Sequence, residues 1–255
     1  MKKIYIYGEN KVTVTIMRDC VKELLSGPPY NEPEPDFCYA GVIHDAGILL
    51  NRIQNSVYPP VVLLNIQPRE NIILLQALRE IREGVGIAVF CENMLYSDKI
   101  VSGWFNTTLL LDTDLADASM SRYIRLAMIK SQLKYRKITE CKQKENLVAE
   151  LIKKLPETVS QLDYILHISL LSEPLTRKER AMVSCLREGM SVEQAAALSG
   201  SSVSMMNMWF RSLCDKLLTR KQAEENFVLS EKMQRNPFTE QNVNPFLEDL
   251  VRRSR

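Results

Sequence analysis

The strongest constraint on the fold is a fivefold alternation. Short β-branched or apolar runs are each followed by a segment whose apolar residues recur at helical spacing. Ile4–Tyr7, closed by Gly8-Glu9-Asn10, predicts a strand and a loop. Val12–Leu25 places Val14, Met17, Val21, Leu24 and Leu25 on one helical face and stops at Gly27-Pro28-Pro29. Residues 28–36 hold four prolines and three acids and predict a loop. Phe37–Val42 reads as a second strand and Ala46–Ile53, carrying Ile48, Leu49, Leu50 and Ile53, as a helix. Val61–Leu64 follows Pro59-Pro60 as a buried-strand run, and Ile72–Arg82 is amphipathic. Gly86–Cys91 predicts a strand, Ser97–Trp104 a short helix, Thr107–Leu111 a fifth strand and Ala116–Leu133 a long helix. This alternation predicts a doubly wound parallel sheet with helices on both faces. Such sheets bind ligands at the carboxyl ends of their strands.

The chain has 255 residues, which leaves room for a second small domain. With 45% hydrophobic and 25% charged residues, the composition excludes a disordered or disulfide-scaffolded chain. The net charge of +2 hides an asymmetry: residues 1–134 carry 14 basic and 15 acidic groups, residues 175–221 carry 8 and 4. A small basic module is a feature of nucleic-acid binding. Cys20, Cys38, Cys91, Cys141, Cys185 and Cys214 form no metal-ligand spacing, and His44 and His167 are the two histidines. Most of the cysteines therefore read as reduced core thiols of a cytoplasmic protein, with no metal or other cofactor. The apolar part of Met1–Tyr7 is too short for a signal peptide, and no apolar run is long enough to span a membrane.

Residues 1–134 resemble a response-regulator receiver domain. In that family the loop after the first strand carries an acidic pair. The third strand ends in the aspartate that accepts a phosphoryl group, the fourth in Ser or Thr, and the fifth in Lys. The carboxylates hold magnesium as hard oxygen ligands, and the aspartate is the nucleophile. This chain departs at each place. Glu9 is the one acid of the first loop, Asn65 follows the third strand, Cys91 and Glu92 the fourth, and Asp112 the fifth. An amide is neither a carboxylate nucleophile nor a good magnesium ligand. The resemblance implies a receiver-like domain with a degenerate phosphorylation site at Glu9, Asn65, Cys91 and Asp112; an unrelated small α/β domain is the competing reading. Under both, these residues are not a catalytic set and the chain is not expected to be an enzyme. It also lacks a phosphate-binding glycine loop.

Residues 135–174 read as a helical linker. Glu140–Leu155 is expected to be helical and to stop at Pro156, and Gln161–Leu171 forms a second stripe ending at Glu173-Pro174. Both stripes must bury against something. His167 reads as a packing residue rather than a ligand.

Residues 175–223 carry the most specific signal. Thr176-Arg177-Lys178-Glu179 is a capping box before Ala181, Met182, Cys185 and Leu186, and the run ends at Gly189. Ser191-Val192-Glu193-Gln194 repeats the box and opens a small-residue helix to Leu198. Gly200-Ser201-Ser202 predicts a tight turn with Ser202 as N-cap, and a longer helix follows through Leu217. That order is a helix-turn-helix, in which Ala195 and Ala196 permit close helix approach. The later helix of such a module lies in the major groove. Met205, Met206 and Phe210 read as its core side.

The same segment resembles the C-terminal domain of the LuxR/FixJ family of bacterial transcription regulators. Leu175-Thr176 with Glu179, Gly189-Met190-Ser191, Ala196, Ser202 and Lys216-Leu217 match its motifs in register; Arg220, Gln222 and Ala223 are similar to the start of its fourth helix. Met205-Met206 replaces the usual Thr-Val, and Trp209 the usual His. The resemblance implies groove-facing Asn207, Met208 and Arg211, with Thr176, Ser202, Lys216, Arg220 and Lys221 as phosphate contacts. Asn can read adenine, Arg can read guanine or grip phosphate, and Met can meet a thymine methyl. Arg211 and Lys216 are the basic groups of residues 203–217, so intrinsic affinity for DNA is expected to be low.

Residues 224–255 form a polar tail with Asn236-Pro237-Phe238 and Asn244-Pro245-Phe246, read as turn-forming pairs or as a docking element. The leading functional reading is a transcription regulator that binds double-stranded DNA without phosphorylation, as a homodimer or as a heterodimer with a second regulator. The alternative is a protein-interaction regulator whose apolar later helix binds a partner instead of DNA.

Overall fold

A computed structural model of the chain describes residues 1–26, 37–112, 120–133 and 147–217. Five strands, β1 (Lys2–Gly8), β2 (Phe37–Ile43), β3 (Val61–Asn65), β4 (Gly86–Cys91) and β5 (Leu109–Asp112), form one parallel sheet in the order β2-β1-β3-β4-β5. This is a doubly wound order of the flavodoxin type, with its switch point between β1 and β3. β3 and β4 are buried along their whole length, as expected of parallel strands covered on both faces.

Side-chain alternation sends β3 to two cores. Val61 and Leu63, with Ile4, Ile6, Ala88 and Phe90, pack on α1 (Lys11–Ser26) and α5 (Met120–Leu133). Val62 and Leu64, with Tyr5, Tyr7, Ile87 and Val89, pack on α2 (Ala46–Gln54), α3 (Ile72–Ile81) and α4 (Tyr96–Trp104). The edge strand β2 is kinked: its register against β1 slips between Ile4 and Tyr5, and Gly41 takes φ +126°, open to glycine and strained for other residues.

The structure corrects two expected boundaries. The fifth strand starts at Leu109 rather than Thr107, because the Thr107 N–H turns back to the Ser102 carbonyl at the end of α4. Of the long helix expected over 116–133, residues 116–119 lie outside the described region. The two linker helices are one: α6 runs from Leu147 to Ser172 straight through Pro156. Pro156 lacks the N–H that would bond residue 152, which costs a helix interior about 3 kcal/mol. The buried stripe explains why the helix survives. Val148, Leu151, Val159, Leu162, Leu166 and Leu170 continue in register on both sides of the proline. A break there would pull half of the stripe away from α3 and α4, on which α6 packs.

The C-terminal helices are α7 (Arg177–Arg187), α8 (Val192–Ser199) and α9 (Val203–Lys216). Their buried residues Met182, Leu186, Ala195, Met206, Phe210 and Leu213 are continuous with α6 and the α3/α4 core. Two polar contacts tie this end to α4: the Tyr96 hydroxyl donates to Glu173 at 2.9 Å, and the Lys99 ammonium donates to the Leu217 carbonyl at 3.2 Å, where α9 ends. Among the described residues no helix is long and apolar enough to cross a membrane.

Candidate nucleic-acid interface and carboxyl-end cleft

The helix-turn-helix is fixed locally by its caps. The Thr176 hydroxyl accepts from Glu179 N–H, and the Glu179 carboxylate accepts from Thr176 N–H at 2.7 Å. Ser191 and Gln194 repeat this box for α8. Gly200 ends α8 in the left-handed region at φ +64°, and Ser202 then caps α9 by accepting from Met205 N–H at 3.2 Å. Ala195 and Ala196 are buried where α8 meets α9, so two small side chains set the spacing of the pair.

Glu179 does more than cap. It is 3% exposed, and besides Thr176 it takes the Ser212 hydroxyl at 2.9 Å and the Lys216 ammonium at 2.6 Å, both from α9. Burial alone would push its carboxyl up. The Lys216 ammonium, the Thr176 N–H and the Ser212 hydroxyl outweigh that and hold it at about 2. Glu179 thus clamps α7 to α9, and the charge of Lys216 is engaged inside the module.

What remains outward on α9 is a narrow stripe. Ser204, Met208, Arg211 and Asp215 follow one another at helical spacing and are exposed, with Asn207 half-buried on one side and Met205 exposed on the other. Met206 and Phe210 are buried as expected, but Met205 is not: it is 45% exposed, because residue 205 lies more than a quarter turn from the buried line through 206, 210 and 213. Thr176 and Ser202 are exposed caps. Arg220 and Lys221 lie outside the described residues, as do Cys141 and both Asn-Pro-Phe tripeptides. Trp209 is half-buried under the Lys178 ammonium, 4.8 Å from its ring centre.

The second candidate region is the cleft at the carboxyl ends of β1, β3 and β4. It measures ≈ 160 Å³ and is lined by Tyr7, Glu9, Asn65, Ile66, Gln67, Glu70, Asn71 and Glu92. The structure therefore brings Glu9 and Asn65 together. Cys91 is fully buried and sits instead beside Asp98, its thiol 3.9 Å from the carboxylate. Asp112 pairs with Cys91 in the strand register, and its side chain lies outside the described set. Asn65 donates from Nδ2 to the Phe90 carbonyl at 3.2 Å, a bond an ionised aspartate could not make. Gly8 faces it across the register, and a Cβ on Gly8 would stand 2.8 Å from the Asn65 Cβ, so an acid at position 8 does not fit this backbone. The Glu92 carboxylate reaches over to α1 instead, accepting from Asn10 and from the Thr13 hydroxyl, each at 2.8 Å.

Sequence reasoning missed the pair beneath the cleft. Asp98 is fully buried and accepts from Arg69 N–H at 2.9 Å, the Arg69 guanidinium at 2.6 Å and Leu95 N–H at 2.9 Å. Burial pushes its carboxyl up, and Arg69 opposes that shift. The sequence shows a lone Asp near the start of the short helix expected over Ser97–Trp104, with nothing local to mark its partner. His167 is half-buried; burial and the nearby Arg187 charge lower its pKa, in keeping with a neutral packing ring. Among the described residues no group of three His, Cys, Asp or Glu is placed to hold a metal.

Asn65→Asp tests the cleft. It is expected to lower stability by about 1–3 kcal/mol, since a carboxylate would face the Phe90 carbonyl with no proton to give. Urea unfolding measures this, and a variant as stable as the wild type would show that the Asn65–Phe90 bond carries nothing.

No family model and no curated protein matches this chain. Among solved structures it is similar to RcsB in a structure of two RcsB dimers bound to two parallel DNAs, with 14% identity, covering 88% of this chain and 95% of that one, TM-score 0.48. The Salmonella typhimurium RcsB response regulator matches with 12% identity, covering 86% and 94%, TM-score 0.42. Full-length FixJ from B. japonicum matches with 12% identity, covering 91% and 97%, TM-score 0.41. At these scores the likenesses carry no functional weight.

Proposed function

We propose that this chain is a DNA-binding transcription regulator of the LuxR/FixJ type, working as a homodimer or with a second regulator and without phosphorylation. The domains on this reading are a pseudo-receiver over residues 1–134, a linker over 135–174, the DNA-binding module over 175–223 and a tail over 224–255. The observation that carries it is the outward face of α9. The later helix of a capped helix-turn-helix presents Ser204, Asn207, Met208 and Arg211 away from the core, with no acid before Asp215. Its N-terminal end adds the positive pole of the helix. Freedom from phosphorylation is supported by Asn65, an amide bonded to the Phe90 carbonyl where the acceptor carboxylate would stand, by Gly8, where no acid fits, and by Glu92, bonded to Asn10 and Thr13.

A selection from a randomised duplex pool tests the reading: enrichment of two half-sites about one helical turn apart supports a dimer on DNA. Arg211→Ala is expected to weaken binding about tenfold or more. Loss confined to the selected sequence assigns Arg211 to a base, and uniform loss assigns it to phosphate. Unchanged affinity for every sequence removes it from the interface. One observation favours the alternative reading, a surface for a protein partner: Leu198, Val203, Met205 and Met208 are all exposed.

A further inference from the structure

Three exposed apolar side chains in the first turns of α9 need an occupant. Met208, 59% exposed, sits in the middle of the outward stripe, between Ser204 one turn before it and Arg211 one turn after. Met205 and Val203 extend the apolar area toward the capped end. A core role is excluded for these three, because Met206, Phe210, Leu213 and Cys214 already fill the inward side. The flanks point to a polyanion. Arg211 is exposed beside Met208, and residues 203–214 contain no acid. Arg177, Lys178, Arg180 and Arg187 are exposed on α7, which packs against α9, and they outnumber the exposed acids Glu188 at the end of α7 and Asp215 on α9. The Glu193 carboxylate of α8 is turned onto the Ser191 hydroxyl at 2.7 Å.

In a major groove the apolar feature on offer is the thymine C5-methyl group. Met suits it, being unbranched, polarisable and able to follow an uneven surface. Ser204, Met208 and Arg211 rise along α9 by about 4.5–6 Å per step, close to the spacing of one or two base pairs at about 3.4 Å each.

We propose that Met208, with Met205 beside it, reads thymine methyl groups in the groove, so that the half-site carries thymine facing the middle of α9, next to the guanine or phosphate taken by Arg211. This rests on the DNA-binding reading above and adds what the helix reads. A helix with few cations thereby gains part of its affinity and most of its selectivity from apolar contact rather than from charge.

The test uses the full chain and its selected duplex in two forms, one with thymines and one with those thymines replaced by deoxyuridine. The exchange removes the methyl and leaves charge and base pairing intact. Anisotropy titrations are expected to show about fourfold weaker binding for each contacted methyl removed. Met208→Ala alters an exposed side chain and leaves the core in place. In that variant the thymine-to-uracil effect at the facing position is expected to vanish while it persists at others, the non-additivity of a direct contact. Equal affinity of wild type for both duplexes overturns the methyl-reading proposal and leaves DNA binding standing. A uracil effect undiminished in Met208→Ala also overturns it, since another side chain then meets the methyl. No binding to either duplex at low salt overturns both readings and assigns the apolar face to a protein partner.

Discussion

Asp98→Ala is expected to destabilise the protein by about 3–5 kcal/mol, the range for breaking a buried ion pair by removing one partner. The Arg69 guanidinium, on a residue 6% exposed, would lose its close buried carboxylate and keep the Gln67 side chain at 2.6 Å and the Glu70 carboxylate at 3.5 Å. The backbone N–H groups of Arg69 and Leu95 would lose their acceptor at the same time. Urea unfolding followed by tryptophan fluorescence reads this out, because Trp104 lies at the end of α4, the helix that Asp98 opens. The double replacement Arg69→Met with Asp98→Leu is expected to recover the part of the loss that comes from the buried charge, while the Arg69 and Leu95 N–H groups still lack their acceptor. A single Asp98→Ala variant within about 1 kcal/mol of the wild type would show that water reaches Arg69 and that the pair is not structural.

The second large effect belongs to Glu179. Its folded pKa of about 2 lies below the usual 4.5, so the carboxylate form is favoured by folding. The corresponding stabilisation is on the order of 3 kcal/mol, fully present above pH about 4.5 and lost as the pH falls toward about 2. Glu179→Ala is expected to remove a similar amount at neutral pH, together with the α7 cap and the clamp from α7 to α9. The variant is also expected to lose less stability than the wild type between neutral pH and pH about 2, because it no longer has this group to protonate. Parallel acid profiles for the two proteins would contradict the clamp. Lys216→Met reports the other side: α9 should loosen, and DNA binding should fall through loss of helix position rather than loss of a phosphate contact.

How far the molecule could be read in advance depends on how local each determinant is. β3 and β4 are continuous apolar runs because parallel strands are covered on both faces, so Val61–Leu64 and Gly86–Cys91 were legible almost to the residue. The caps at Thr176, Ser191 and Ser202 were legible for the same reason: each is made within four residues. Pro156 misled, since a local breaker was overridden by a stripe that spans it and packs on distant helices. The strand order was not legible at all, because nothing in an apolar run says which neighbour it pairs with.

The candidate sites divide in the same way. Asn65 at the end of β3 could be named from its position, but its bond to Phe90 and the closeness of Gly8 come from the register of three strands. Lys216 read as a phosphate contact because its partner Glu179 lies on another helix, and Asp98 drew no reading because its partner Arg69 lies in the turn after β3. Long-range charge pairing leaves no periodic trace, so single charged residues are where sequence reading is weakest. Met205 shows the converse: an apolar letter on a helix is not by itself a core residue.

The most direct measurement of the central claim is an anisotropy titration of the full chain against a mixed-sequence duplex at about 50 and about 200 mM salt. Arg211, Arg220 and Lys221 as phosphate contacts predict binding at the lower salt that weakens about fortyfold at the higher, a slope set by released counterions. No binding at the lower salt, or binding indifferent to salt, would contradict a DNA-facing α9.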